Sequence, residues 1–372
     1  MELSTAKLSS IAKFSQGKQI PIEEQYMDTN EKRDRFIRIV DFTSGFREAP
    51  RYVDADDKYH VNSNEIIMIR YGTPGKVYRG VAGIIANNMF KITFDKSFID
   101  TNYGYWFLKQ NSIYNFLMMM NCSATMPAIT FKMLDRVQVQ FPVISIQRRI
   151  ASILSAYDNL IENNNKRIRL LEQMAENLYK EWFVRFRFPG HEKAEFENGL
   201  PKGWKFMKLD KILTVKYGKD HSKIEDGTIP ILGSGGIMRY GNKELYTSES
   251  VLIPRKGSLN NIMYIDEPFW TVDTMFFTEM KYKSIAKYIY YVLSGIDMES
   301  FNSGAALPSM TTNILNNFKV VLPSENVLVL FDKKVGLLFS QKKQLIQQNT
   351  LLSRQRDLLL PRLMSGKLEV NV

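Results

Sequence analysis

The chain of 372 residues has little of what disulfide or metal chemistry needs: one cysteine, Cys122, and three scattered histidines, His60, His191 and His221. One cysteine excludes an internal disulfide framework and a Cys-rich zinc module. Histidines this far apart supply neither a zinc ligand set nor a hydrolytic dyad. No stretch reaches the roughly 18 uncharged apolar residues of a membrane helix. Met1 to Ser10 has no apolar signal-peptide core. The chain therefore reads as soluble and cytoplasmic. There is no phosphate-binding Gly-rich loop, because Gly72-Thr73-Pro74-Gly75-Lys76 is too short and Val77 follows it. No Asn-Pro-Pro-Tyr motif for base methylation occurs. Gly233-Ser234-Gly235-Gly236 is a lone Gly-rich turn, and Asp54, Asp56 and Lys58 read as a solvated acidic loop. Neither a cofactor nor a metal is expected, and no residue is assigned a catalytic role.

Apolar residues make up 44% and charged residues 24%, the balance of an ordinary globular protein. At about 100–200 residues per domain the length implies two or three domains. Fifty Lys and Arg against thirty-nine Asp and Glu leave a net charge of +11, which fits a polyanionic partner. The excess is uneven. Residues 143–190 hold eight basic and five acidic groups, and residues 324–372 hold eight and four. Residues 1–142 and 191–323 are nearly neutral, so polyanion contacts there must come from local patches.

The second half of the chain echoes the first. At an offset of 181, Pro127-Ala128-Ile129-Thr130 falls on Pro308-Ser309-Met310-Thr311, Leu134 on Leu315, Val139 on Val320 and Pro142 on Pro323. Earlier landmarks match at larger offsets. Lys7-Leu8, Ile11 and Gly17-Lys18 fall on Lys208-Leu209, Ile212 and Gly218-Lys219, while Arg70 and Gly72 fall on Arg255 and Gly257. Tyr103, Tyr105 and Leu108 fall on Tyr288, Tyr290 and Leu293. The offset shrinks from 201 to 181, so the first repeat carries about twenty extra residues, expected in surface loops. The apolar runs 65–69 and 251–254, each ahead of a glycine, read as short strands; 103–120 and 285–295 read as short helices. Met118-Met119-Met120 reads as core packing.

After Pro142 the apolar positions step by four and three: Ile150, Leu154, Tyr157, Ile161, Asn164, Ile168, Leu171, Ala175, Leu178, Trp182. The matching seam is Phe331, Val335, Leu338, Lys342, Leu345, Asn349, Leu352, Arg356, Leu359, Leu363. This is a heptad pattern. Two helices on the order of 60 Å long, at about 1.5 Å per residue, each with one apolar stripe, are expected to pack on each other. Asn164 and Asn349 are polar seam positions of the kind that fix register. Lys342 and Arg356 are expected either to snorkel to the coil edge, the preferred reading, or to mark a stretch that faces a partner subunit.

The segments Gln147-Arg148-Arg149-Ile150-Ala151-Ser152-Ile153-Leu154-Ser155, Leu178-Tyr179-Lys180-Glu181-Trp182-Phe183 and Leu200-Pro201-Lys202-Gly203-Trp204 are distinctive. So is Leu359-Leu360-Pro361-Arg362-Leu363-Met364-Ser365-Gly366-Lys367-Leu368. In these segments the chain resembles the specificity subunit of a type I restriction-modification system. One departure is that no Pro-x-Gly-Trp precedes Lys7-Leu8, so the first domain is expected to have a trimmed N-terminal edge. The resemblance implies an α+β architecture of two mixed target recognition domains in tandem. Each is followed by a long helix, and the two helices form an antiparallel coiled coil with pseudo-twofold symmetry. The expected boundaries are 1–142 and 189–323 for the recognition domains, and 143–188 and 324–372 for the helices. The resemblance also implies a non-catalytic subunit in which each domain reads half of a split double-stranded DNA target. Two methyltransferase subunits would dock on the helices, and restriction-translocase subunits would complete the complex.

The chemistry of DNA contact selects candidates from polar turns. Arg and Lys read guanine and phosphate, Asn and Gln read adenine, and Tyr and Ser hold phosphates. The first repeat offers Lys18, Gln19, Arg70, Tyr71, Lys76, Tyr78, Arg79, Ser123 and Thr125. The second offers Lys219, His221, Arg255, Lys256, Asn260, Asn261 and Ser303. Arg70 and Arg255 stand out because they recur at corresponding places.

Overall fold

The computed structural model describes residues 2–43, 49–121, 127–301 and 309–370. The chain divides into two compact units, Met1–Asn163 with Gln348–Val372, and Asn164–Gln347.

The first unit opens with β1 (Ser4–Lys7), the turn α1 (Leu8–Ile11), β2 (Ala12–Gln16), β3 (Arg33–Ile37), α2 (Val40–Thr43) and β4 (Arg51–Asp54). It continues with β5 (His60–Val61), β6 (Ile66–Ile69), β7 (Val77–Tyr78), β8 (Gly83–Ile85), β9 (Met89–Phe94), α3 (Thr101–Leu108) and α4 (Asn111–Met119). Then come α5 (Phe131–Leu134), β10 (Gln138–Phe141) and the long helix α6 (Ile144–Tyr179). Two four-stranded sheets form, in the orders β2-β9-β6-β7 and β4-β3-β8-β5. The pair β1–β10, with Ser4 opposite Phe141, closes the globular part just before α6.

The second unit continues from α6, which ends in a π turn over Lys180–Val184. The hairpin β11 (Phe196–Glu197) and β12 (Leu200–Pro201) precedes β13 (Lys205–Lys208), α7 (Leu209–Ile212), β14 (Leu213–Tyr217), β15 (Asp226–Gly233) and β16 (Gly236–Gly241). Next are β17 (Ser250–Pro254), β18 (Met263–Ile265), β19 (Trp270–Thr271), β20 (Met275–Met280), α8 (Ala286–Ser294), α9 (Thr312–Asn316) and β21 (Lys319–Leu322). The last helix is α10 (Glu325–Met364). The sheets run β14-β20-β17-β18 and β16-β15-β19, and β13 pairs with β21.

The duplication is therefore structural. β1, α1 and β2 map onto β13, α7 and β14 at the offset of 201, and β10 maps onto β21 at 181. The recurring threonine is a duplicated helix cap: the Thr130 hydroxyl accepts the Met133 N–H, and the Thr311 hydroxyl accepts the Ile314 N–H, both at 3.3 Å. The extra residues of the first repeat are not only loop. Between β2 and β6 they build α2 and the edge strand β5, which has no counterpart in the three-stranded β16-β15-β19 sheet.

The runs of uninterrupted apolar residues have a simple cause. Ile66 and Met68 of β6 face one core while Ile67 and Ile69 face another. In β17, Val251 and Ile253 face one core and Leu252 the other. A strand covered on both faces has no solvent side to alternate with. The region 103–120 is two helices, with Tyr103 to Leu108 all buried in α3. Of the three methionines, Met118 and Met120 pack against the first core, but Met119 is exposed.

Each long helix contributes to both units. In the first, Ile150, Ala151 and Leu154 share a core with Leu360, Leu363 and Met364; in the second, Ala175, Trp182 and Phe183 share one with Val327, Phe331 and Val335. The start of one helix meets the end of the other, the antiparallel arrangement. The remaining apolar and asparagine positions of the stepping pattern, Tyr157, Ile161, Ile168, Leu171, Leu178, Leu338, Asn349, Leu352 and Leu359, are half-buried, and Asn164 and Leu345 are buried. Arg356 does not snorkel, whereas Lys342 stays part-exposed at the coil edge. Lys342 pairs with Glu172 at 2.7 Å, and the largely covered Arg356 pairs with Asp158, so both form ion pairs between the helices.

The globular parts are tied to the helices by matched but chemically different polar links. In the first unit Arg79 donates to Asn102 Oδ1 at 2.6 Å and to Ser155 Oγ at 3.3 Å on α6, its guanidinium 4.1 Å from the Tyr105 ring centre. In the second, Lys287 of α8 donates to Asp332 on α10 at 2.7 Å and lies 3.3 Å from Glu249, which accepts from the Tyr264 hydroxyl at 2.8 Å. Burial disfavours charge on Lys287, but the hydrogen bond and charge of Asp332, with Glu249, outweigh it and hold the ammonium above the ordinary lysine range. Phe331 is fully buried with ring centres of Phe183 and Trp182 at 4.8 and 5.9 Å. Phe331→Ala is expected to destabilise the second unit by about 3–5 kcal/mol. Urea unfolding followed by tryptophan fluorescence checks it, and an unshifted midpoint contradicts this packing.

Candidate nucleic-acid interface

Strand register decides which turns meet. In the first unit Gln16 at the end of β2 lies opposite Phe90, and Ile69 at the end of β6 lies opposite Met89. The exits of β2 and β6 and the entry of β9 therefore share one end of the sheet. Gly17-Lys18-Gln19, Arg70-Tyr71 and Asn87-Asn88 emerge there together. The Arg70 N–H donates to the Asn88 carbonyl at 2.8 Å, the Lys18 N–H to Ile85 at 2.9 Å, and Asn87 Nδ2 to Gln19 Oε1 at 3.2 Å.

The second unit repeats this end of the sheet. Tyr217 of β14 lies opposite Phe276, and Pro254 of β17 opposite Met275. The Arg255 N–H donates to the Thr274 carbonyl at 2.8 Å and the Lys219 N–H to Thr271 at 2.9 Å. Each arginine sits over a tyrosine, Arg70 at 4.7 Å from the Tyr71 ring centre and Arg255 at 5.4 Å from that of Tyr217. Their carbonyls accept from Ile129 at 3.1 Å and from Met310 at 2.9 Å, just ahead of the two capping threonines.

The recurring glycine has a local reason. A Cβ on Gly17 would stand 2.3 Å from the carbonyl oxygens of Ile85 and Ala86, and one on Gly218 would stand 2.0 Å from that of Val272. Only glycine lets the chain pass this close to the neighbouring backbone. Lys18 makes an ion pair with Asp56 at 2.9 Å. That hydrogen bond raises the pKa of the lysine and lowers that of the carboxyl. Asp56 is thus a specific partner rather than one charge in a solvated loop.

Other candidates lie elsewhere or are engaged within the protein. Lys76 is exposed, 5.3 Å from the Tyr114 ring centre. Tyr78 stacks on Phe42 at 4.5 Å, and burial raises the pKa of its hydroxyl. Arg79 belongs to the helix link described above, away from the shared sheet end. Lys256 is exposed and bridges Ser309 through its backbone. Asn260 donates to Asp297 at 3.1 Å and accepts from the Met298 N–H at 2.8 Å, and Asn261 donates to the Ser234 carbonyl at 2.7 Å. Both amides brace loops. His221 is half-buried, its carbonyl accepting from Arg239 at 2.7 Å. Cys122, Ser123, Thr125 and Ser303 lie outside the described residues. Sequence reasoning missed Asn87-Asn88, Tyr217 and Asp56. An Asn-Asn pair between two strands is a turn signal that locates the first; nothing local marks the others.

The family model described as "Type I restriction modification DNA specificity domain" matches residues 2–173 and 201–349. The chain belongs to this family. The type I restriction enzyme MjaIX specificity subunit of Methanocaldococcus jannaschii is 27% identical over 322 residues, covering 77% of this chain and 73% of that protein. The HindI specificity subunit of Haemophilus influenzae is 21% identical over 344 residues, covering 66% of this chain and 72% of that protein. The crystal structure of a type I restriction-modification S subunit from M. genitalium matches with a TM-score of 0.62 at 19% identity, covering 97% of this chain and 96% of that one. That match shows a shared fold. Among the described residues no helix is long and apolar enough to cross a membrane, and no cluster of His, Cys, Asp or Glu could hold a metal ion.

Arg70→Ala and Arg255→Ala are each expected to weaken binding to the cognate duplex by about 1–3 kcal/mol and to leave random DNA less affected. Equal loss on both duplexes in a titration would mark a phosphate contact instead. Asp56→Asn removes the anion that competes for Lys18. It should tighten DNA binding several-fold at low salt, measured by fluorescence anisotropy, and weaker binding would assign the pair a purely structural role.

Proposed function

We propose that this chain is the DNA-reading, non-catalytic subunit of a type I restriction-modification complex, its two globular parts each reading one half of a split target. The observation that carries this reading is the duplicated sheet end, where Lys18 and Arg70 in one part correspond to Lys219 and Arg255 in the other. Two readers that share a scaffold but differ in side chains recognise different half-sites, so the target is asymmetric. The long helices act as a stiff spacer and fix the unread gap. A gap changed by one base pair turns one half-site by about 34–36°, from roughly 10–10.5 base pairs per turn. The recognition domains are residues 1–142 and 189–323, with 143–188 and 324–372 as the spacer.

The helices also offer outward apolar residues, Leu160, Leu170 and Met174 on α6 and Leu337, Leu351 and Leu358 on α10, all exposed. These suit docking of two methyltransferase subunits, with restriction-translocase subunits joining the assembly in the cytoplasm. Steep salt dependence of DNA binding separates this function from that of a protein-only scaffold.

Deleting the gene and mapping methyladenine across the genome tests the reading. A split motif with a fixed gap should vanish on deletion and return with the complementing gene. Unchanged methylation would overturn it. Replacing residues 1–142 by those of a relative should alter one half-site only; a change in both would end the modular description.

A further inference from the structure

We infer that the β15–β16 hairpin of the second globular part is a base-contacting element whose Ile237, Met238 and Tyr240 recognise the 5-methyl group of thymine. This inference rests on the DNA-reading function proposed above and names chemistry for one of its half-sites.

The hairpin inverts the usual pattern of a surface strand, in which polar residues point outward. Ile237, Met238 and Tyr240 are 53%, 58% and 50% exposed. The one charged residue among them, Arg239, turns back into the protein. Its Nη2 donates to the carbonyls of His221 at 2.7 Å and Ile224 at 2.8 Å, and its Nη1 lies 3.3 Å from Asp226. Three large apolar groups exposed within four residues are a local concentration rather than the scattered exposure normal on any surface.

The patch is rigidly held between the two basic turns. Arg239 grips the loop that follows Gly218-Lys219. On the other side Asn261 donates to the Ser234 carbonyl in the hairpin turn at 2.7 Å, and a Cβ on Gly257 would stand 2.7 Å from Ser234 Oγ. The hairpin thus touches the loops that carry the exposed Lys219 and Lys256. Register shifts between Ile231 and Leu232, whose partners are Arg239 and Ile237, so Met238 is the extra residue of a bulge. Bulges re-aim side chains. Cations beside an apolar ridge suit a groove in which phosphates flank base edges. Thymine's methyl is the apolar group those edges present in the major groove.

Among its described residues the first globular part shows no such group of exposed apolar side chains on the corresponding strands. Its corresponding strands β3 and β4 carry Arg33, Arg35 and Arg51, and Arg33 and Arg35 are paired with Asp28 and Asp41 at 3.0 Å. Methyl recognition by this hairpin therefore belongs to the half-site read by residues 189–323.

The test uses the complex with its methyltransferase subunits and duplexes of the mapped target in which thymines of one half-site are replaced by deoxyuridine. Each contacted methyl should be worth about a three- to fourfold loss in affinity, from roughly 0.8 kcal/mol per buried carbon. The double variant Ile237→Ser, Met238→Ser should bind thymine and deoxyuridine duplexes equally, while Met238→Leu keeps the preference. Elution of the complex on size exclusion and the salt slope should be unchanged. A wild-type complex indifferent to deoxyuridine, or a double variant that keeps the preference, overturns the inference. Loss of the methyltransferase subunits from the double variant also overturns it and assigns the patch to a protein contact. A wild-type complex that binds no DNA fails the function proposed above, a result distinct from DNA binding without methyl preference.

Discussion

The antiparallel pairing of the two long helices is the constraint on which both units depend. A helix with one apolar stripe is not stable alone in water at this length, and tertiary packing must cover the stripe. Here the cover comes from two sources at once. Ile150 and Leu154 on α6 meet Leu360 and Leu363 on α10, and Tyr103, Trp106 and Leu108 of the first globular part complete the same core. Trp182, Phe183 and Phe331 do the same with Tyr288 and Tyr291 in the second. The sequence repeat, a globular part followed by its own helix, is therefore not the compact unit of the fold. Each globular part rests on the head of one helix and the tail of the other.

Duplication on such a frame lets common and variable features separate. The strand-pairing scheme, the capping threonines, the close-passing glycines and the two arginines recur. The links to the helices do not: Arg79, Asn102 and Ser155 in one unit are replaced by Lys287, Glu249, Asp332 and Tyr264 in the other. The second unit also inserts Trp204 among Phe183, Phe186 and Phe188, carried in by the β11–β12 hairpin. The same mechanical task is met by an arginine–amide link in one unit and a buried lysine with two carboxylates in the other. Conformation is kept while the polar links to the helices diverge.

Much of this was legible in the residues, for reasons that can be stated. Helical periodicity is a local signal sustained over many turns, so the stripe from Ile150 to Trp182 and its echo could be read directly. The shrinking offset between repeats located corresponding turns without any knowledge of the sheets. What stayed hidden depended on pairing between distant segments. That Lys342 and Arg356 face Glu172 and Asp158 requires the register of one helix on the other. That Asp56 meets Lys18, or that Asn260 and Asn261 brace loops, requires the tertiary fold. Residue type alone assigned those asparagines to adenine, and their internal partners explain why type was insufficient.

The two recurrences at the sheet end carry different weight. Gly17 and Gly218 are demanded by the backbone, because any side chain would collide with carbonyl oxygens, so their recurrence is accounted for by folding. Arg70 and Arg255 differ. Their backbone groups bond to Asn88 and Ile129, and to Thr274 and Met310, but any residue other than proline supplies the same N–H and carbonyl. Each guanidinium lies on a tyrosine ring at the rim of the sheet rather than in a buried ion pair, apart from one long contact of Arg255 with the Asp273 carbonyl at 3.4 Å. The fold thus asks for a residue at these positions but not for an arginine. A planar, permanently charged group beside an aromatic ring suits bidentate contact with guanine or phosphate. The side chain, and not only the backbone, therefore recurs for a reason that lies outside the folding of the sheet.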